Sequence, residues 1–425
     1  MGRPTAMLKL HQQRDLGESS LGWILRARDE GPRPDLSDHI LALKRRILEA
    51  REGLEGVQLV PGQRLPAAWM ELTATQRALL QQRREQLQGF HLRTLPQPLS
   101  HQAEGGDRCR WLHEPCRRVG VLLPRHGMNV SMLLALVVPA MVAGVEEVVV
   151  AMEPGRNGEL PPGVLAACEL LAVRQVLAAG GADGVLALLH GVPSCAPVEL
   201  LVGEDGPEAE LTMRDSPLGH RCRRTDAVGD FCVLTDGRGL DAGRLAEELL
   251  WHAGLGGLGM RAILSSDSEG LDAVVAELRA AFKRLPRGQR SVARQSLEQR
   301  GRFMTIPSLA RGVGLANALR PSRLNLLVHN PRKYLARLAG LGLLQLGETQ
   351  LPSELLDRQP WALPVLAEGG APVTAASYLR SRLTLRAGSE EAGSSRDAMS
   401  SEARLSGWAS LEGQTVPVRT HGDST

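Results

Sequence analysis

The stretch VGVLLPRHGMNVSMLLALVVPAMVAGVEEVVVAM, Val119–Met152, sets the architecture. Its two ends, Val119–Leu123 and Glu147–Met152, are apolar runs of strand length, and from Val130 to Val142 the pattern between them is helical. Strand, helix, strand in that rhythm predicts a parallel sheet with helices on its faces. The longest apolar run, Met132–Val145, is too short to span a membrane and is interrupted by Pro139.

The alternation continues downstream. Pro162–Leu170 reads as helix, Val173–Ala178 as strand and Asp183–Leu189 as a short helix. A further block follows, with a strand at Phe231–Thr235, a helix ending at His252, a strand at Ile263 and a helix from Leu271 to Leu285. Phe303–Ile306, a helix over Leu309–Leu319, Leu324–Val328 and Leu341–Gly347 carry the rhythm on. Upstream, Leu36–Leu95 is helical, with Ile40, Leu43, Ile47 and Leu48 in one segment and Leu72, Leu79, Leu80 and Leu87 in another. Residues 1–35 are polar with Gly and Pro, and beyond Gly370 the chain turns polar and rich in Ser and Glu, which predicts flexible ends.

Trp251–Gly259, WHAGLGGLG, places Gly254, Gly256 and Gly259 at the spacing of a dinucleotide-binding loop. That chemistry needs a strand before the glycines and a helix after them, so that free N–H groups meet phosphate. Here the order is reversed. A helical pattern with Leu245, Leu249 and Leu250 precedes the glycines, and a short buried strand from Arg261 follows. They read as a helix end turning into a strand, where glycine supplies left-handed backbone.

A chain of 425 residues, 43% hydrophobic, can bury a large core and divide into two or more domains. Its 50 basic and 47 acidic residues nearly balance, aromatics are 3%, and no basic stripe is interleaved with aromatics, so nucleic acid is not an expected partner. Only Lys9, Lys44, Lys283 and Lys333 are lysines, a bias towards arginine read as genome composition. The N-terminus lacks the apolar core of a secretion signal and Ala6 stands where a myristoylation signal needs Ser or Thr, so a cytosolic chain with six reduced cysteines and no membrane partner is expected. Cys109 and Cys116 with His113 between them could offer zinc ligands, but the spacing is not a finger's and no second pair matches it; His220 and Cys222 read as equally incidental.

Taken in order and spacing, Val119-GVLLP, SMLLALVVPAMVAGVEEVVV, the turn Pro154-Gly-Arg-Asn-Gly158, AAGGADGVLALLHG and VELLVGEDG resemble the histidinol dehydrogenase family. Members of that family read a Val-Pro-Gly-Gly strand end, an Ile-Pro-Ala-x-Val-Ala-Gly-Val helix, a Gly-Gly-Ala-Gln turn and a Val-Gly-Pro-Gly-Asn loop at these places. The likeness runs from about Leu72 to about Leu411. It implies an α/β fold of two Rossmann-like parallel-sheet domains, of histidinol dehydrogenase or aldehyde dehydrogenase type, with a small C-terminal tail. It also implies a homodimer that oxidises L-histidinol to L-histidine with NAD, one zinc holding the substrate and a Glu-His pair handling water and protons. The expected division is 1–35 as a flexible N-terminus, 36–118 with 231–370 as a first domain, 119–230 as a central NAD-binding-like domain, and 371–425 as a dimer-crossing segment and tail.

The resemblance carries the family's site residues onto positions that have changed. Its Gln and His zinc ligands fall on His252 and Leu255, its Asp ligand on Asp357 and its C-terminal His on Trp408. Leucine has no lone pair and tryptophan only a donor N–H, so His252 and Asp357 are the residual metal residues. Gly254 stands where the family has an acid. The Glu-His pair falls on Ser322 and Arg323; arginine stays protonated and cannot serve as a base, so no catalytic residue is intact. Substrate contacts fall on Ala403, beside Glu402, and on Gly229. NAD contacts fall on Leu122, Asp183 and Gly206, the glycines after Pro124 have become Arg125 and His126, and Asp183 with Glu204 and Asp205 would set carboxylates near a pyrophosphate.

Plainer roles stand beside these. His252 could cap its helix C-terminus as a cation, Asp357 could be a solvated turn residue, and Leu255, Trp408 and Leu122 could fill a vacated cleft. The expectation is a family homologue that has lost most zinc, NAD and acid/base residues and with them the oxidation of L-histidinol, its small-molecule ligand unknown. The alternative is an active NAD- and metal-dependent oxidoreductase of the same type with an altered substrate, using His252, Asp357 and Glu402. A third, narrower reading is a mixed dimer with an intact family member.

Overall fold

The computed structural model describes Leu10 and residues 12–14, 57–102, 108–124, 129–155, 157–203, 206–226, 230–254, 259–347, 365–366 and 372–386. The elements begin with β1 (Gln12–Arg14), α1 (Arg64–Glu71), α2 (Ala74–His91), β2 (Leu99–Gln102), β3 (Arg108–Pro115), β4 (Arg118–Leu123) and α3 (Asn129–Ala143). Next come β5 (Glu147–Met152), α4 (Pro162–Leu170), β6 (Gln175–Leu177), α5 (Gly181–His190), β7 (Leu200–Gly203), α6 (Gly206–Asp215) and β8 (Cys222–Asp226). Then follow β9 (Phe231–Thr235), α7 (Ala242–Gly254), β10 (Arg261–Ser265), α8 (Ser268–Arg284), α9 (Arg287–Arg300), β11 (Gly301–Thr305), α10 (Leu309–Leu319), β12 (Arg323–Leu327), α11 (Arg332–Leu335), β13 (Leu343–Leu346), β14 (Val365–Leu366) and β15 (Leu379–Arg386).

These form two Rossmann-like sheets. The first has the order β14-β8-β7-β4-β5-β6, all parallel except the antiparallel edge strand β14. Residue alternation along β4 assigns its faces. Val119, Val121 and Leu123 share a core with α1 to α4, whereas Leu122 faces α5 and α6 with Val149, Ala151 and Leu177. The second sheet, β1-β11-β10-β9-β12-β13, is wholly parallel. Phe231, Val233, Ile263 and Phe303 pack under α7, α8 and α9, and the alternate residues Cys232, Leu234, Leu264 and Met304 pack on α10. Strand order reverses between β4 and β7 in one sheet and between β9 and β12 in the other, the topological switch points of such folds.

The apolar run that raised the membrane question becomes α3, buried without a break from Met132 to Ala140, as a helix apolar on all sides must be. Among the described residues no helix is long and apolar enough to cross a membrane.

Two boundaries differ from the expectation. Residues 57–95, grouped with 231–370 from the sequence, pack on the first sheet: Leu65, Ala68, Leu80 and Leu87 lie in its core, and Val60 N–H donates to the Val176 carbonyl at 2.8 Å. Val373, Ala375 and Tyr378 also belong to that core rather than to a tail, with the Tyr378 hydroxyl donating to the Leu136 carbonyl at 2.7 Å. An amphipathic pattern says that a helix covers something, not which sheet it covers. The helical segment around Ile40–Leu48 and most of both termini lie outside the described residues, but Gln12–Arg14, expected in a flexible N-terminus, pairs with β11 as an edge strand of the second sheet.

Among the described residues, 96–102, 108–114 and 380–386 form a separate compact unit. Its described part is a three-stranded sheet, ordered β15-β3-β2.

α2 starts on a capping box, Thr73 with Gln76, and ends on His91, which is fully buried against the Phe90 ring with no partner for Nδ1. Burial lowers the His91 pKa to about 4 from 6.5. Keeping this imidazole neutral costs nothing above the unfolded value, and stability is lost as pH falls from 6.5 towards 4. His91→Leu is expected to remove up to about 3 kcal/mol of that acid-side loss. Urea unfolding of both proteins at neutral and mildly acidic pH checks this; parallel pH profiles would contradict it.

Candidate functional site

Three residues align across the N-terminal edge of the second sheet. In register, Phe231 of β9 pairs with Arg261 of β10 on one side and Arg323 of β12 on the other. All three are buried, and by strand alternation they share the face that α7 covers. α7 packs there because Leu245, Ala246, Leu249 and Leu250 recur at helical spacing, and the same spacing brings Glu248 and His252, one turn apart, onto the sheet. The His252 ring stacks on Phe231 at 4.3 Å and meets Trp251 edge-on at 5.1 Å. Glu248 accepts a hydrogen bond from Asn325 Nδ2 at 3.0 Å, and its Oε1 lies 3.9 Å from His252 Nε2.

The electrostatics of this pocket are those of a dry, cationic place. Arg261, wholly buried, donates to the carbonyls of Gly259, Met260 and His252. Through the His252 carbonyl it serves a group left open at the end of α7. Burial, then the charges of Arg261 and Arg323, hold His252 well below its ordinary pKa, so its imidazole is neutral and its Nδ1 has no partner. The idea that His252 caps α7 as a cation is therefore corrected: Arg261 fills that role. Burial also raises Glu248 to about 8, against the opposing pull of Asn325, Arg323 and Arg244, which leaves a protonated carboxyl at neutral pH.

Of the positions the resemblance singled out, the structure thus brings His252 and Arg323 together. Ser322 stands half-buried just before β12, its carbonyl taken by the Leu343 N–H. Leu255, Asp357 and Trp408, with Gly229, Glu402 and Ala403, lie outside the described residues. Among the described residues no three His, Cys, Asp or Glu side chains gather as a metal would require. One neutral imidazole beside two guanidiniums does not fit a zinc ion: the cation needs several lone pairs and would meet like charge instead. Cys109 lies in the extended β3, whereas Cys116 is buried beyond the end of that strand in the core of the first sheet.

The positions matched to NAD contacts lie on the first sheet. Leu122 is fully buried in the core beneath α5, so its side chain offers nothing to a ligand. Asp183 is exposed in the first turn of α5, and Gly206, exposed with φ +79°, opens α6, whose first turn holds Glu208. Carboxylates thus already complement the dipoles at both helix starts, where a pyrophosphate would otherwise go. These residues do not fit NAD. Arg125, His126, Glu204 and Asp205 lie outside the described residues.

One pattern escaped the sequence reading. Gly237-Arg-Gly239-Leu-Asp-Ala242 follows β9 and opens α7, which is the strand-to-helix polarity that Gly254–Gly259 lacked. Gly237 has φ +78°, and a Cβ there would overlap the carboxylate of Asp267. Asp267 in turn accepts from the Glu269 and Gly270 N–H groups, and Asp241 accepts from the Arg244 N–H. The loop is packed with the protein's own carboxylates rather than shaped around a phosphate.

With this geometry in place, the comparisons with known proteins are informative. The sequence model of one protein family, described as histidinol dehydrogenase, matches residues 46–357. A histidinol dehydrogenase of Thermus thermophilus is 33% identical over 69% of this chain and 69% of its own length. One from Thermotoga maritima is 28% identical over 62% of each, so the matched part spans under two thirds of that relative. The crystal structure of histidinol dehydrogenase from Elizabethkingia anophelis superposes with a TM-score of 0.80 over 94% of this chain and 96% of that one, at 16% identity. An acetylating aldehyde dehydrogenase from Geobacillus thermoglucosidasius shares the fold at TM-score 0.50, 10% identity, and 89% and 99% coverage.

Because His252 is a packing residue between Phe231 and Trp251, His252→Ala is expected to cost about 2–4 kcal/mol of unfolding free energy. The loss should be the same with and without added zinc. Urea unfolding measures it; a loss that appears only in zinc-containing buffer would contradict the packing role.

Proposed function

The chain belongs to the histidinol dehydrogenase family, and from that membership we propose that it keeps the family's fold without its zinc- and NAD-dependent oxidation of L-histidinol to L-histidine. The observation that carries the reading is the buried Arg261–Phe231–Arg323 row beneath His252. A proton acceptor is needed to draw the substrate's hydroxyl proton, and the residue that falls on the family's histidine is Arg323, permanently charged and 4% exposed. Glu248, protonated and turned into the core, is no substitute. Carboxylates at the starts of α5 and α6 disfavour the dinucleotide's pyrophosphate.

The alternative, an active oxidoreductase with altered substrate, would need an accessible acid/base pair, and the side chains of Glu248 and His252 are each 3% exposed. On the favoured reading the protein is a cytosolic homodimer that acts by binding, with a ligand or partner yet to be identified.

Absorbance at 340 nm, with purified protein, L-histidinol, NAD and zinc present, tests the reading. No NADH is expected above the uncatalysed rate, and the combined Arg323→His and Ser322→Glu changes alone should not create turnover, because the metal and cofactor positions differ as well. Steady NADH formation by the unaltered protein, stopped by a chelator, would refute it.

A further inference from the structure

One stretch of the chain is charged unlike the rest. Between Glu298 and Glu348 there is no Asp or Glu, although the chain has 47 acids among 425 residues and at that frequency would place about five there. The same stretch carries eight Lys and Arg. A bias towards arginine explains which cation is used, not why every acid is missing.

The fold divides these cations. Arg300, Arg302 and Arg323 are buried, whereas Arg320, Arg332, Lys333 and Arg337 are exposed. The crossover from β12 to β13, residues 328–342, places the exposed ones. Tyr334, Leu338 and Leu341 recur at helical spacing and pack on the core that α10 covers, so the opposite side of the crossover faces solvent. Asn317 of α10 fixes it there: Nδ2 donates to the Arg337 carbonyl at 2.7 Å, and Oδ1 accepts from the Ala339 N–H at 3.0 Å. Arg320, closing α10, lies along Gly340, where a Cβ would meet its Cδ at 3.3 Å. The crossover returns the length of β12, about 16 Å for five residues at about 3.3 Å each. The four cations thus form a stripe of that length, from Arg332 and Lys333 past Arg337 to Arg320.

Structural roles account for little of it. Arg320 suits the end of a helix, but Arg332 and Lys333 open α11, where a helix dipole favours acids. None of the four has an ion-pair partner among the described residues, and Glu298, the nearest acid upstream in sequence, pairs with Arg294. Like charges gathered without acids repel one another, a cost that an anionic partner removes.

We propose that this stripe docks the phosphate backbone of a nucleic acid duplex, which rests on the binding role of the proposed function and names its partner's chemistry. No long basic stripe stands in the sequence, and nucleic acid is unexpected from it; the fold assembles one from the end of α10 and the crossover. A duplex carries about one charge per 1.7 Å of its axis, so a stripe of about 16 Å meets more phosphates than it has cations. Single strands fit less well, because they are held by bases stacked on exposed rings, and the Tyr334 ring is half-buried with Lys333 Nζ 6.0 Å from its centroid. An anionic membrane also fits less well. Binding at its surface adds apolar side chains to the cations, and those of the crossover pack into the core.

Fluorescence anisotropy of a labelled DNA duplex of about 20 base pairs, titrated with the full-length protein, tests this. Micromolar binding is expected at about 50 mM salt, weakening about 100-fold by about 200 mM, as four phosphate contacts require. Arg332→Glu with Lys333→Glu should weaken binding at least about 30-fold and flatten the salt slope by about two. Arg279→Glu with Lys283→Glu makes the same change of net charge on α8, over the opposite face of the same sheet, and should weaken binding less than about threefold. All four positions are exposed, and unchanged circular dichroism and melting temperature establish that both variants fold. An RNA duplex of the same length distinguishes the two nucleic acids, and binding of either that is lost with the stripe supports the assignment. No duplex binding, equal loss in the two variants, or binding confined to phosphatidylserine vesicles would overturn it. None of these results alters the outcome of the NADH assay, so the stripe and the lost oxidation fail separately.

Discussion

Guanidinium groups taken out of water must find hydrogen-bond acceptors, and Arg261 and Arg323, buried on either side of Phe231, are among the residues of the second sheet that are costly to place. Arg261 meets the requirement with the carbonyls at the end of α7 and the turn into β10. Arg323 lies across Phe231 from it and stabilises the charged form of Glu248. Once these two cations are fixed, the rest follows. Burial, reinforced by both cations, keeps the His252 imidazole neutral, burial protonates the nearest carboxyl, and Phe231 and His252 stack in the space that remains. The pocket is held by packing and backbone acceptors, and it offers a second cation only repulsion.

The first sheet is changed in the opposite sense. A helix start at a switch point presents N–H groups and a partial positive charge, and that is why phosphates gather there. In this chain Asp183 and Glu208 occupy the first turns of α5 and α6; in the second sheet, too, Asp241 accepts from the first turn of α7 and Asp267 packs against Gly237. Cations stand beside His252, the one described position of the metal set, and carboxylates at the helix starts where an anion would be. Inversion of sign at both places is a stronger argument for a lost reaction than the absence of any one ligand, because a missing ligand leaves a weakened site whereas a like charge opposes binding.

Much of the fold was legible because two periodicities separate cleanly in this chain. Val119–Leu123, Glu147–Met152, Phe231–Thr235 and Leu324–Val328 are short apolar runs that can only be strands buried on both faces, and the helices between them follow from the 3.6-residue spacing. Partner choice was not legible: α1 and α2 show an apolar stripe, but which sheet it covers depends on contacts far away in sequence. The β2–β3–β15 sheet was missed because its strands come from distant segments and its apolar side chains are too few to stand out. At the site, the sequence indicated that Arg323 replaces a base and that Leu122 offers no polar contact. It did not indicate that Arg261, an unremarked strand residue, would serve the end of α7, that burial would deprive His252 of its charge, nor that Glu248 would lie buried beside it, since these depend on the register of β9 with its neighbours.

The central proposal is that the buried site around His252 carries its positive charge on arginine and binds no zinc. Elemental analysis of protein purified from zinc-supplemented culture addresses it most directly. Less than about 0.1 zinc per chain is expected, unchanged by His252→Ala. About one zinc per chain, lost when His252 is replaced, would contradict it.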